Sequence, residues 1–454
     1  MSAISPVSLS RDELRRRGSE SDPAPARIIH LGLGHFFRAH QAWYTAHAAD
    51  ADGWGIAAFT GRGPKLAAEL TEQDCLFTLV ERGAAADRLE VVTSVVEARS
   101  GSDVHRLVEM AADPAVAIVT LTVTENGYRL TAEGAPDLDD ADVLADRDDL
   151  RSGGWGARTV LGRLLCILAA RRAAEAGPIA IVSCDNIPRN GVFVERGVTA
   201  FARDIGAGLA EWVDRNVSFV STSVDRITPH IPDAPQAVAD AGWIDRSTVI
   251  TEPFADWVLA GEFPAGRPAW ETAGARFVDD IESWENRKLW LLNGAHTILA
   301  VAGLPRGLLT VAEAIADPTC RALVEDFWDE AVQCLPAGTE HVRYRDQLVE
   351  RFSNPRIVHQ LTQIAADTTV KVQFRFASVA ERTVAAGRRA FCSARAFGAW
   401  IDWVVARPTS PDPRADDIAE AAASDDPVVA LIRIVSPSLA ASEPFVSEVR
   451  AARG

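Results

Sequence analysis

The sequence predicts an α/β protein in which a doubly wound, largely parallel sheet is followed by a mainly α-helical domain. Short, almost wholly apolar runs alternate with helix-like segments through roughly the first 280 residues, as expected of strands buried on both faces. A glycine turn separates the first run from the first helix, the opening of many nucleotide-binding sheets. Beyond that point strand signals fade and long helical patterns take over. A chain of 454 residues exceeds what one core organises, so two domains are expected, over residues 1–280 and 281–454.

The elements follow in order. Ile28 to Leu31 is the first strand, Gly32-Leu33-Gly34 the turn, Phe36 to Ala49 a helix and Gly55 to Thr60 the second strand. Further strands are expected at Val116 to Val123, Ile179 to Ser183 and Val217 to Thr222. Between two of them, Arg158 to Glu175 carries Leu161, Leu164, Leu165 and Leu168, a helical stripe. In the second domain, helices are expected at Trp284 to Leu304, Val311 to Leu335, Ile357 to Ala366, Val379 to Val405 and Pro427 to Val435, with a proline-rich break from Arg407 to Arg414.

Composition narrows the partners. A formal charge of −17 argues against a broad nucleic-acid or anionic-membrane surface. The six cysteines are scattered without a CxxC pair, which fits a reducing compartment and neither a disulfide framework nor a zinc knuckle. The first residues are polar and lack a signal-peptide core, and no apolar run reaches membrane-spanning length, so a cytoplasmic protein is expected.

Gly32 and Gly34 lie where backbone amides and a helix start can hold a pyrophosphate. Phe37 occupies the place of the third glycine of such turns, and Arg38 beside it can meet a phosphate. No acidic residue closes the second strand. Arg62 follows instead, which leaves NADP open beside NAD. Polar clusters follow two later strands: Thr124-Glu125-Asn126, and the stretch from Cys184 to Gly191 that includes Asn186. In an open parallel sheet, loops at the carboxyl ends of strands line the ligand crevice.

The segment from Trp284 to His296 gathers unlike polar groups. At about 100° per residue, with Lys288 at zero, Glu285 falls near 60°, His296 near 80° and Asn293 near 140°. Leu289 and Leu292 share that arc, so the polar groups sit in semi-apolar surroundings. This suits alcohol oxidation. A lysine whose charged form is disfavoured by desolvation can take the hydroxyl proton, and carboxamide N–H groups of Asn293 and Asn186 can stabilise the developing alkoxide. His296 can orient a neighbouring hydroxyl, and Glu285 can relay the proton. No His/Asp/Glu set has metal-ligand spacing, so no metal is expected.

The blocks GLGHFFRAHQAWYT (32–45), TVTENGY (122–128), SCDNIPRNG (183–191), VDRITP (224–229), EPFADWV (252–258), RKLWLLNGAHT (287–297) and RFSNPRIVHQL (351–361) resemble the polyol-specific long-chain dehydrogenases, the mannitol dehydrogenase family that includes hexuronate reductases. The resemblance runs from about Ile28 to Arg375. It implies a Rossmann-type N-terminal domain, NAD as cofactor, no metal, and a monomer or small homo-oligomer. It also implies Lys288 as general base, Asn293 and Asn186 around the reacting oxygen, His296 on substrate, Glu285 on the proton path, and Asp225 and Arg226 near the site. Asp367-Thr368-Thr369 departs from the Asp-Gly-Ser frequent in the family.

Lys371 and Arg375 look like the hexuronate-reductase branch, since two cations can hold a substrate carboxylate, Arg375 through two parallel hydrogen bonds. The expected activity is therefore reduction of a hexuronate such as tagaturonate or fructuronate. Oxidation of mannitol or arabinitol is the alternative, and a non-catalytic nicotinamide sensor a more distant one.

Overall fold

The apolar runs of the first half assemble into one eight-stranded sheet. In a computed structural model that describes residues 5–19, 22–61, 63–131, 134–229, 236–407 and 412–453, the chain divides into two compact units, Met1–Glu282 and Ser283–Gly454. The sheet belongs to the first. Its strands are β1 (Ala26–Leu31), β2 (Gly55–Phe59), β3 (Val95–Arg99), β4 (Ile118–Leu121), β5 (Ile179–Ser183), β6 (Val217–Asp225), β7 (Asp256–Ala260) and β8 (Arg276–Phe277).

Their spatial order is β3-β2-β1-β4-β5-β6-β7-β8. Every pairing from β3 to β6 is parallel, and β7 returns antiparallel to β6. This is the dinucleotide-binding strand order, whose direction of winding reverses between β1 and β4. Successive residues of each strand feed opposite faces. Ile29, Leu31, Val119, Leu121 and Ile181 join one core with the helices Val104–Ala111, Val160–Ala173 and Asn190–Ile205. Ile28, Ile56, Ile118, Ala180 and Val182 join the other with Phe37, Tyr44 and Trp257.

Several elements differ from expectation. The helix expected from Phe36 to Ala49 is two short ones, His35–Ala39 and Gln41–Ala46. They break at His40, whose buried ring is held by the Asp256 carbonyl at 3.1 Å. The run at 116–123 is in register only over Ile118–Leu121, because the amides of Val123 and Thr124 are taken by a side chain. β3, β7 and β8 were not expected, nor was the small sheet of Phe77–Arg82, Asp87–Val92 and Val249–Thr251. Val95–Arg99 and Asp87–Val92 interleave charged residues with apolar ones, and Arg276–Phe277 and Val249–Thr251 are only two and three residues long.

The second unit is helical. Ala295–Gly303 is apolar on nearly every side, with Ala295, Ile298, Leu299, Ala300 and Val301 buried, and packs on Pro318–Ala331 and Phe391–Ala406. The expected helix from Val379 to Val405 is divided into Ser378–Ala385 and Phe391–Ala406, with Gly387 in left-handed conformation between them. Of Ile357 to Ala366 only Leu361–Ile364 is helical, whereas the charge-rich His341–Phe352 forms a helix on a narrow stripe of Tyr344, Leu348 and Phe352 that was not read from the sequence. Among the described residues no helix is long and apolar enough to cross a membrane.

Inside β1 one polar residue is fully buried. The His30 ring lies 2.8 Å from Thr120 Oγ1 and 3.2 Å from Thr122 Oγ1 and stacks on Phe37 at 3.5 Å. Burial pushes its pKa from the ordinary 6.5 down to about 3, so between those values the unfolded chain binds a proton that the native one does not. Stability therefore rises with pH through that window and is lost as pH falls. From pH 6.5 to 4.5 this ring should cost about 2–3 kcal/mol of stability. Urea melts across that range should show the loss in the wild type and a flatter profile in His30→Gln. Parallel profiles would contradict it.

Candidate functional site

At the end of β1 the chain turns through Gly32 with φ +116°, and a Cβ there would lie 2.1 Å from the Thr122 carbonyl oxygen. Only glycine fits so close to the loop that follows β4. The amides of Gly32 and Leu33 both donate to the Phe59 carbonyl at 2.9 Å, and Thr122 Oγ1 donates to the Gly32 carbonyl at 2.9 Å. The turn is thus locked between the ends of β2 and β4, at the place where the winding reverses. Gly34 starts the helix His35–Ala39 with no side chain capping it. A backbone stripped of Cβ atoms at a strand-to-helix turn fits close approach of a pyrophosphate.

The loop after β4 is held in an uncommon conformation. Thr124 has φ +79°, an outlier for a β-branched residue. The Val123 and Thr124 amides donate to Asp185 Oδ1 at 2.6 and 2.7 Å, and the Tyr128 hydroxyl donates to Asp185 Oδ2 at 2.5 Å. Asn190 Nδ2 donates to the carbonyls of Asp185 and Thr222, each at 2.8 Å, and Asn190 Oδ1 accepts from the Thr222 amide. Burial raises the Asp185 carboxyl above its ordinary pKa. One buried network therefore joins the ends of β4, β5 and β6. It leaves Thr124, Glu125, Asn126 and Asn186 exposed at the carboxyl edge of the sheet. Asp185, Tyr128 and Asn190 were missed as positioning residues. The only hint in the sequence was their place directly after apolar strands.

Five assignments in the first unit need correction or placement. Arg38 is not a phosphate partner: it is 1% exposed, donates to the Gly34 carbonyl at 3.1 Å and to that of Ser247, and burial lowers its pKa to about 10. Phe37 is a core residue stacked on His30, not a cofactor contact. Arg226 is not available to substrate, because its guanidinium donates to the carbonyls of Ala39 at 2.6 Å and Glu252 at 3.2 Å and pairs with Glu81 at 2.7 Å. Asp225 is the buried last residue of β6, opposite Asp256 of β7. Arg62 lies outside the described residues.

In the second unit, the segment carrying Lys288 and Asn293 is not a regular α-helix. Glu282–Arg287 is α-helical, Lys288–Gly294 is π-helical and Ala295–Gly303 is α-helical again. A constant step of about 100° per residue therefore does not hold from Lys288 to Gly294. Residues five apart stand about 140° apart on an α-helix, but the wider i→i+5 turn brings them nearly one above the other. Lys288 and Asn293, five apart and both half-buried, share one face for that reason.

Side chains answer the carbonyls of the widened turn. Trp328 Nε1 donates to the Leu291 carbonyl at 2.8 Å, and Arg375 Nη1 donates to the Asn293 carbonyl at 3.0 Å and to Thr297 Oγ1 at 2.7 Å. Gly294 lets Phe327 approach, since a Cβ would lie 2.9 Å from its ring. Arg375 itself sits on a second π-helical turn, Gln373–Ala377, packed against the first. Burial lowers its pKa to about 10, so it stays charged near neutral pH. His296 is buried against Phe352 and against the edge of His359, a second ring that sequence reasoning did not single out. Glu285 lies half-buried one turn before Lys288.

Lys371 requires correction. Its ammonium donates to the carbonyls of Ile364 at 3.0 Å and Ala366 at 2.5 Å, closing the end of the helix Leu361–Ile364 instead of facing a ligand. Desolvation, then the nearby Arg375, lowers its pKa. The Thr368-Thr369 departure also has a local explanation. Asp412 accepts from the Thr369 amide at 2.9 Å and from its hydroxyl, and Trp400 Nε1 donates to Thr368 Oγ1 at 3.2 Å. Among the described residues no group of three or more His, Cys, Asp or Glu side chains is placed to hold a metal ion.

Comparison with known proteins agrees across both units. Residues 26–272 match the mannitol dehydrogenase Rossmann domain and residues 280–449 the mannitol dehydrogenase C-terminal domain. The chain is 35% identical to D-arabinitol 4-dehydrogenase of Ralstonia nicotianae, covering 94% of this chain and 95% of that one. It is 36% identical to D-mannonate oxidoreductase of Escherichia coli, covering 77% and 74%. A ternary complex of Pseudomonas fluorescens mannitol 2-dehydrogenase with NAD and D-mannitol is similar in structure, with TM-score 0.78, 30% identity and coverage of 99% and 96%.

The turn geometry separates its two glycines. Gly32→Ala should destabilise the protein by about 2–4 kcal/mol, from left-handed strain plus the collision with Thr122. Gly34→Ala, whose Cβ would make only a 3.5 Å contact, should cost about 1 kcal/mol or less. Denaturant melts measure both, and equal losses would contradict the close approach at Gly32.

Proposed function

The chain belongs to the mannitol dehydrogenase family and is an oxidoreductase, and within that family we propose that it interconverts a keto-sugar acid and its secondary alcohol, using NAD and a lysine base. The observation that carries this reading is the π-helical turn that puts Lys288 and Asn293 on one face, with the Arg375 guanidinium bound to its backbone.

Gly32, Gly34 and the loop Thr124–Asn126 would hold the dinucleotide, which supplies the hydride acceptor when bound. Lys288 Nζ takes the proton from the substrate hydroxyl as the carbon gives up hydride, and returns it in the reductive direction. The Asn293 carboxamide donates to the oxygen on which negative charge develops. Asn186 is assigned the same task by its carboxamide chemistry and by the family resemblance. Glu285, one turn before Lys288, passes the proton onward, and His296 orients a neighbouring hydroxyl. These steps place proton transfer and charge stabilisation on side chains.

Arg375 supports an acidic substrate. One guanidinium nitrogen, Nη1, makes both of its hydrogen bonds, and Nη2 and Nε make none to the described residues. That leaves an edge of parallel donors suited to a carboxylate. The relative named for D-mannonate is consistent with a hexuronate such as tagaturonate or fructuronate as the oxidised partner. With Lys371 held by carbonyls, the carboxylate rests on one cation. Polyol oxidation is the second reading, favoured by the almost full-length match to the D-arabinitol enzyme.

A substrate panel followed by NADH absorbance separates the two. Tagaturonate or fructuronate should turn over at least tenfold better than fructose, and Arg375→Met should remove that preference. Equal rates on fructose, or faster oxidation of arabinitol, would move the assignment to polyols. Lys288→Ala should lower kcat at neutral pH by at least a hundredfold with NADH affinity retained. A variant keeping more than a tenth of wild-type activity would rule out Lys288 as the base.

A further inference from the structure

Beside His296 stands a second imidazole, His359, that the proton and hydride steps do not use. It lies between the helices His341–Phe352 and Leu361–Ile364, and its main chain is fixed. The Val311 amide donates to the His359 carbonyl at 3.0 Å, the Leu361 amide donates to the Leu309 carbonyl at 2.9 Å, and Thr310 and Gln360 form an antiparallel bridge. Polarity runs against ordinary burial here. Val358 is 63% exposed, while the imidazole next to it is half-buried, its centroid 4.9 Å from that of His296 and the ring planes 81° apart. Hydrophobic transfer alone would bury the valine and expose the histidine. A local rule broken in this direction is expected at a functional position.

The His359 ring is neutral, and its hydrogen-bonding capacity is unspent. Burial alone pushes its pKa below the ordinary 6.5. Its Nδ1 is buried without a partner, Nε2 is not so enclosed, and the side chain makes no hydrogen bond or ion pair among the described residues. A neutral imidazole carries one N–H and one lone pair. An N–H buried without an acceptor is the costlier of the two to orphan, so the proton belongs on Nε2. His359 therefore presents an uncharged donor next to His296. Such a donor suits a hydroxyl oxygen, whereas a carboxylate is better served by the charged guanidinium of Arg375. The two together match a polyhydroxylated chain that ends in an acid.

We infer that His359 is a substrate-binding residue whose Nε2–H donates to a hydroxyl of the sugar chain, next to the hydroxyl that His296 orients. The assignment rests on the site proposed above and adds a residue that reads the chain beyond the reacting carbon. Steady-state kinetics on the full chain test it with two probes, fructuronate plus NADH and D-arabinitol plus NAD. Two variants of similar length separate the donor from the bulk: His359→Gln keeps an N–H near the place of Nε2, and His359→Met has none. On whichever probe turns over, His359→Met should raise KM by roughly tenfold or more with kcat changed less than about threefold, as when a contact made equally in ground and transition states is lost. NADH affinity should stay within about twofold, and the thermal melting midpoint should hold, because no partner inside the protein is lost. His359→Gln should recover most of the KM. An unchanged KM in His359→Met, equal KM values in the two variants, or a loss confined to kcat overturns the assignment while leaving the site reading standing. A wild type that turns over neither probe overturns the two together.

Discussion

A helix cannot widen by one residue without leaving backbone carbonyls in need of partners, and that constraint organises the second unit. Over Lys288–Gly294 the backbone takes the wider turn, and the carbonyls of Leu291 and Asn293 receive the Trp328 indole and the Arg375 guanidinium. Trp328 is buried in the helix Pro318–Ala331, and Arg375 rides on a π-helical turn of its own. The widened segment is therefore braced from two sides. What it gains is side-chain direction: two polar residues that a regular helix would splay apart stand on one face.

The first unit meets a comparable constraint with a carboxylate. Thr124 is kept in a backbone conformation unfavourable for a β-branched residue, at a cost of order 1–3 kcal/mol. Asp185 offsets it by accepting from two amides and a phenol, while Asn190 ties the same corner to β6. Gly32 completes the arrangement from the β1 side by letting its backbone touch Thr122. The exposed amides and side chains at this edge rest on buried polar groups that are themselves paired, as a preformed binding loop requires.

Much of this was legible in the sequence, for identifiable reasons. Strands such as Ile179–Ser183 are apolar on both faces and have few other places to go, so the parallel core of the sheet could be read directly. The edge strands β3 and β8 and the antiparallel β7 carry charged residues and could not. The π-helical turn was invisible, because LWLLN is ordinary α-helical composition and the widening is set by tertiary partners tens of residues away. Side-chain direction was the other blind spot. Arg38, Arg226 and Lys371 lie in or beside recognisable motifs, yet their donors close backbone carbonyls inside the fold. Adjacency to a motif fixes where a Cα lies and leaves open whether a long cation faces the ligand or the core.

In the proposed mechanism an amine on the widened turn carries the proton of the reacting hydroxyl. Chemical rescue tests it most directly: Lys288→Ala is assayed for alcohol oxidation with a graded series of small primary amines. Activity should return in proportion to the free-base concentration of the added amine, with little effect of the same amines on the wild type. No rescue by any amine, in a variant that still binds NADH and retains its fold by circular dichroism, would contradict it.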